Sequence, residues 1–116
     1  MSDYKPTLCL DFDGVLHKYS RGYADGSVYD NPTDGARDFV LEAKKHFNLI
    51  IYSSRASTLA GKIDIMNFLA EHDFPIIEIT NEKPPAFLTL DDRAMTFTGK
   101  WPSIETLQNF KPWNIQ

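Results

Sequence analysis

One cysteine in 116 residues excludes an internal disulfide and a cysteine-rich zinc site. Cys9 stands inside an apolar run, where it reads as a small buried hydrophobe. No apolar stretch approaches the roughly 20 residues that a membrane span needs. The opening MSDYKP lacks the basic-then-apolar order of a secretion signal. Together these absences predict a cytoplasmic protein with no membrane partner. Positive charge is also in short supply: 12 Lys and Arg face 16 Asp and Glu, a net charge of −4. That balance argues against a broad basic surface for nucleic acid, without excluding a local patch. No repeat or low-complexity tract is present. The NPT at Asn31 is blocked as a glycosylation site by its proline, and the TGKW ending at Trp101 lacks the other residues of a phosphate-binding P-loop.

What is present suffices for one core. Apolar residues make up 42% of the chain and aromatics 13%, and the length leaves no room for a second core. We therefore read residues 1–116 as a single domain. Thr7–Asp13 is a short apolar run ending in acids, which suits a buried parallel strand. A loop rich in Tyr, Gly, Ser and Asp follows from His17 to Asn31, and loops of such length are often functional. Asn31 and Pro32 then predict a helix start, as N-cap and first turn, with an apolar stripe Ala36, Phe39, Val40 and Ala43 running to about Phe47.

NLIIYSS gives the next strand, Leu49 to about Ser53. Ser57 or Thr58 caps a second helix with stripe Leu59, Ile63, Met66 and Leu69–Ala70. FPIIEIT and AFLTLDD read as a third and a fourth strand, and Pro102 or Ser103 opens a last short helix through Ile104, Leu107 and Phe110. Strands alternating with helices predict a parallel sheet covered on both faces. The loop tyrosines Tyr19, Tyr23 and Tyr29 are expected to pack the loop down, and Trp101 and Trp113 to pack in the core or at its edge.

Ligands of open parallel sheets bind outside the carboxyl ends of the strands. Three of the four predicted strands end there in polar groups: Asp11 and Asp13, Ser53 and Ser54, Asp91 and Asp92. Two carboxylates at i and i+2 share one side of a strand. Burying them together is costly unless a cation sits between them or chemistry uses their protons. Each piece alone has a plainer reading, as a strand-end turn, a cap or a solvated lysine. The case rests on their joint order.

That order resembles the haloacid dehalogenase superfamily of phosphohydrolases. DFDGV at Asp11–Val15 matches its first motif, LIIYSS its second with the hydroxyl at Ser53, Lys83-Pro84 its third, and LTLDD its acidic fourth. The four frame residues 8 to 93. The resemblance implies a three-layer α/β/α Rossmann-like fold with a mainly parallel sheet. The chain has no room for the family's cap domains, and the short spacing from Lys83 to Asp91 shows that part of the usual connecting helix is missing.

The same resemblance implies that the chain is a Mg2+-dependent phosphatase, a hydrolase of phosphomonoesters, with the following expected roles. Asp11 is the nucleophile that becomes the aspartyl-phosphate, and Asp13 is the general acid and base, its pKa raised by neighbouring acids. Lys83 and Ser53 offset charge on the phosphoryl group, and Gly14 lets the backbone approach it. Mg2+ takes its ligands from Asp11, the carbonyl of Asp13 and the fourth motif. Asp92 is favoured there as direct ligand, with Asp91 behind it or paired to Lys83. Ser54, Arg55 and Arg93 are candidate substrate contacts, the arginines either gripping phosphate or pairing with surface acids. His17 and Lys18 head the loop at the rim. The expected partner is a phosphorylated substrate, possibly a nucleotide or macromolecule, taken by a monomer or small homo-oligomer. Two alternatives stay open: a nucleic-acid 3′-end phosphatase, suggested by the closing DDR, and a non-catalytic metal- or phosphate-binding module.

Overall fold

The computed structural model describes residues 4–114. Four strands, β1 (Thr7–Asp11), β2 (Asn48–Tyr52), β3 (Glu78–Thr80) and β4 (Leu88–Leu90), form one sheet in the order β3-β2-β1-β4, with every neighbouring pair parallel. Three helices accompany them: α1 (Ala36–Ala43), α2 (Leu59–Glu71) and α3 (Ile104–Gln108). None of the described helices is long and apolar enough to cross a membrane.

The sheet is built on alternation. Leu8 and Leu10 on β1 pair in register with Leu49 and Ile51 on β2, and Ile51 in turn with Ile79 on β3. With their neighbours on the pleat they form one apolar face. The chain advances from β1 through α1 to β2, then through α2 to β3, always toward the same edge. Right-handed crossovers in one direction place both helices on one face. Accordingly Ala36, Val40 and Ala43 of α1 and Ile65, Phe68 and Leu69 of α2 join the cluster that holds Leu8, Leu10 and Ile51. The short α3, in contrast, carries no buried residue. Among the described residues, the helical cover with a buried face thus lies on one side of the sheet.

Several local expectations hold. Thr58 caps α2, its side chain accepting from the Gly61 N–H, and Ser103 caps α3 through the Thr106 N–H. The start of α1 does not. Asn31–Thr33 runs alongside Leu16–Lys18, with Lys18 N–H donating to Asn31 and Thr33 N–H to Leu16. Those backbone groups are taken by a partner some fifteen residues back, so the helix begins only at Ala36, behind a left-handed Gly35 with φ 78°. The predicted stripe on α2 is also displaced. Leu59, Ile63 and Met66 are exposed, while Ile65, Phe68 and Leu69 are buried. This helix is apolar on two faces, and periodicity alone does not say which one meets the sheet. Trp101 and Trp113 are largely exposed rather than packed in the core.

The C-terminal residues latch the long loop at its base. Trp113 Nε1 donates to the Gly14 carbonyl, and the buried Asn114 donates through Nδ2 to the carbonyls of Lys18 and Tyr19.

The two faces of α2 give a direct test of this packing. Ile65→Ala removes a fully buried side chain and should cost about 2–5 kcal/mol of stability in denaturant unfolding. Ile63→Ala, two residues earlier on the exposed face, should stay within about 0.5 kcal/mol of the parent. Equal losses would mean that the helix is seated on the wrong face.

Candidate metal and phosphate site

The sheet register assembles the acids. Leu10 stands opposite Leu90, so the next residues along, Asp11 and Asp91, leave the ends of adjacent parallel strands side by side. Carboxylate oxygens of Asp11, Asp91 and Asp92 all lie within 4.8 Å of one another. Gly14 makes this approach possible. Its φ of 86° lies in the left-handed region, and a Cβ at that position would run into the Asp92 carboxylate. Asp91 is further fixed by accepting the Arg93 N–H at 2.8 Å.

Crowding has an electrostatic consequence. Burial, a hydrogen bond with Asp92, and the charges of Asp91 and Asp92 together push Asp11 from its ordinary 3.8 up to about 8. Three carboxyl groups converging at one point make a hard, all-oxygen donor set, the kind that Mg2+ or Ca2+ takes. The residues present therefore fit a divalent cation, with Asp11, Asp91 and Asp92 as its holders.

Asp13 belongs to a different cluster. Its carboxylate accepts from His17 Nδ1 and from Arg55 Nε, each at 2.8 Å, and takes no part in the acidic triad. Burial pushes its pKa up, but the hydrogen bonds from His17 and Arg55 outweigh burial and hold it below the usual carboxylate value. This reverses the expectation that neighbouring acids raise it. The side chain faces a cation and an imidazole instead of the other acids. The part assigned to Asp13 in metal binding was its carbonyl, which this carboxylate geometry leaves untouched.

His17 is fully buried rather than at the rim. Its Nε2 accepts the Asp30 N–H at 2.9 Å, so the proton sits on Nδ1, pointing at Asp13. The ring also stacks on Phe12 and meets Tyr19 and Tyr29 edge-on. Tyr19 and Tyr29 thus pack the loop as expected, whereas Tyr23 stays exposed. Asp30 closes the loop on itself by accepting from the N–H and hydroxyl of Ser20. Burial pushes Asp30 up, but these bonds, with one from the Asn31 N–H, outweigh it and bring the carboxyl down to about 2.

Arg55 is not a free phosphate ligand. One guanidinium reaches Asp13, the Gly26 carbonyl at 2.6 Å and the Ser27 carbonyl at 3.4 Å, tying the loop to the strand end. Sequence reasoning missed the His17–Asp13–Arg55 knot. A histidine four residues after an aspartate in a tight turn was the available signal for one half of it. The other half, 42 residues away in sequence, left no local trace.

The remaining predicted residues fall around these two clusters. Ser53 is buried just past β2, where its oxygen accepts the Arg55 N–H at 3.2 Å. Its hydroxyl hydrogen has no acceptor among the described residues and is available to a ligand. Ser54 is exposed. Lys83 and Arg93 are exposed, and neither side chain forms an ion pair among the described residues. Their charges are felt by neighbouring groups. Lys83 acts on Cys9 alongside Asp11 and Asp91, and Arg93 acts on Tyr19. The expected Lys83–Asp91 pair is not formed.

The raised Asp11 predicts an unusual pH dependence. Folded protein keeps a proton near pH 8 that the unfolded chain releases near 3.8, so Asp11 favours folding at low pH and loses that contribution as pH rises from about 4 through 8. Asp13, held below its ordinary value, acts in the opposite sense and only on the acid side. In chelator, the melting temperature of the parent should fall between pH 5 and 8 relative to that of Asp11→Asn, which lacks the titrating group. Parallel curves for the two proteins would contradict the crowded-carboxyl geometry.

No known family model, curated protein or solved structure matches this chain, so the reading of the site rests on its own residues.

Proposed function

We propose that the chain is a Mg2+-dependent phosphomonoesterase of the haloacid dehalogenase type, with Asp11 as nucleophile. The observation that carries this reading is the convergence of Asp11, Asp91 and Asp92 at the carboxyl ends of two adjacent parallel strands. Its supports are the ordered DFDGV, Ser53, Lys83-Pro84 and LTLDD segments, and the two unpaired cations nearby. The Rossmann-like fold of that family belongs to the same proposal, with its second helical layer not formed among the described residues.

A phosphomonoester resists hydrolysis because its charge repels nucleophiles and its alkoxide leaves poorly. An enzyme carboxylate divides the reaction into two easier displacements. Mg2+, when bound by Asp11 and the Asp91–Asp92 pair, offsets the phosphate charge and holds Asp11 ionised near neutral pH. An Asp11 carboxylate oxygen then attacks phosphorus, the bond to the leaving oxygen breaks, and an aspartyl-phosphate results. Ser53 donates its free hydroxyl hydrogen to a phosphoryl oxygen, while Lys83 and Arg93 balance charge from the open side.

Asp13 serves both half-reactions, in different protonation states. In the free protein His17 and Arg55 hold it as a carboxylate, which suits the second half, where it takes a proton from the attacking water. An anionic phosphate beside it adds like charge and raises its affinity for a proton, which suits the first half, where the leaving oxygen must be protonated. His17 positions this carboxylate and does not touch the substrate.

Asp11→Asn should abolish hydrolysis of p-nitrophenyl phosphate and leave the protein folded. Asp13→Asn should be far more damaging for alkyl phosphates than for nitrophenyl phosphate, whose leaving group needs no proton. Excess chelator should silence the parent, and Mg2+ should restore it. A parent that binds Mg2+ but turns over no phosphomonoester would mean a non-catalytic module. Activity of Asp11→Asn within tenfold of the parent would exclude the covalent route.

A further inference from the structure

We infer that the cavity bordered by Asp13, Tyr19 and Tyr23 receives an uncharged nucleoside, the leaving group of a nucleoside monophosphate. The leaving-group role rests on the phosphatase reading; the nucleoside site itself does not. The cavity is about 410 Å3, within the range that encloses a small organic ligand. A larger one, about 580 Å3, lies along Ser27–Asn31 and touches none of the four strand-end carboxylates.

Location gives the first argument. Asp13, the group that would hand a proton to the leaving oxygen, forms part of this wall, as does Arg55 beside it. A group leaving phosphorus on the Asp13 side would face this space, which Asp11, Asp91 and Asp92 do not line.

Chemistry gives the second. Tyr23 presents an exposed aromatic ring, and stacking on such a ring accepts any base, while Tyr19, itself stacked on Tyr29 and lying under the Arg55 guanidinium, forms the fixed wall beside it. Tyr19 adopts φ 56°, a left-handed conformation that a bulky side chain rarely takes and that a structure retains where position matters. The Tyr23 ring is backed by Gly26, where an added Cβ would press on its hydroxyl at 2.7 Å. Ser57, Thr58 and Asp64 also line the cavity and offer two hydroxyls and a carboxylate as partners for the O–H and N–H groups of a sugar and base.

Charge gives the third. Asp13 and Arg55 neutralise one another, and Asp64 leaves the lining with one net negative charge. No lysine is among the described residues that line the cavity. A second phosphate is disfavoured there, which separates a nucleoside monophosphate from a bisphosphate or a polynucleotide end.

Nucleosides lack the phosphate, so their binding is measured without turnover. Calorimetric titration of the full chain with adenosine and with uridine should detect both, with glucose silent. Tyr23→Ala should weaken both by about tenfold, the scale of one lost stacking contact. Asp64→Asn should narrow the preference for adenosine 5′-monophosphate over adenosine 3′,5′-bisphosphate. Absence of nucleoside binding up to millimolar concentration, affinity indifferent to Tyr23→Ala, or tighter binding of a 3′-phosphorylated oligonucleotide than of the monophosphate would each overturn the assignment. Nucleoside binding in a protein that hydrolyses no p-nitrophenyl phosphate would uphold the site and sink the phosphatase reading alone.

Discussion

Pairing β1 directly with β4 brings three carboxyl groups to one end of the sheet, and much of the molecule is arranged around that crowding. Like charges a few ångströms apart in a half-buried setting repel strongly, because water is partly excluded. The chain meets this by keeping Asp11 protonated up to about pH 8. Gly14 and the Arg93 N–H then fix Asp92 and Asp91 in the positions that maintain the crowding. An apolar or amide residue at any of the three positions would relieve the contact.

The second cluster solves the opposite problem. Asp13 lies two residues from Asp11, yet its carboxylate is neutralised by Arg55 and oriented by His17. The two aspartates of one short motif are therefore driven apart in acidity, Asp11 up and Asp13 down. Pairs whose surroundings separate their proton affinities in this way characterise sites that divide labour between two carboxyls. Arg55 links this separation to the long loop, because the guanidinium that neutralises Asp13 also holds Gly26 and Ser27. Loss of that arginine would disturb the acid and the cavity wall together.

Much of this was legible in the sequence wherever the cause was local. The apolar runs behind β1 and β2, the caps at Thr58 and Ser103, and the acids at the strand ends all follow from residues within a few positions of each other. What was not legible depends on distant partners. Asn31–Thr33 looks like a helix start until Leu16–Lys18 takes up its backbone groups. On α2, Ile63 and Ile65 are equally apolar, and only the sheet beneath decides which is buried. Arg55 reads either as a phosphate ligand or as a partner for an acid, and only the folded loop and Asp13 show where its N–H groups go.

The central claim, that the Asp11–Asp91–Asp92 cluster exists to receive a divalent cation, meets its most direct test in the protons released when Mg2+ binds. Asp11 titrates near 8, so at pH 7 it is largely protonated, and a metal that ligates it must displace that proton. Calorimetric titration with Mg2+ in buffers of different ionisation enthalpy counts the protons directly. The account predicts release approaching one proton per ion at pH 7, falling toward zero above pH 9, and lost in Asp11→Asn. Absence of Mg2+ binding, or binding with no proton release at pH 7, would contradict it.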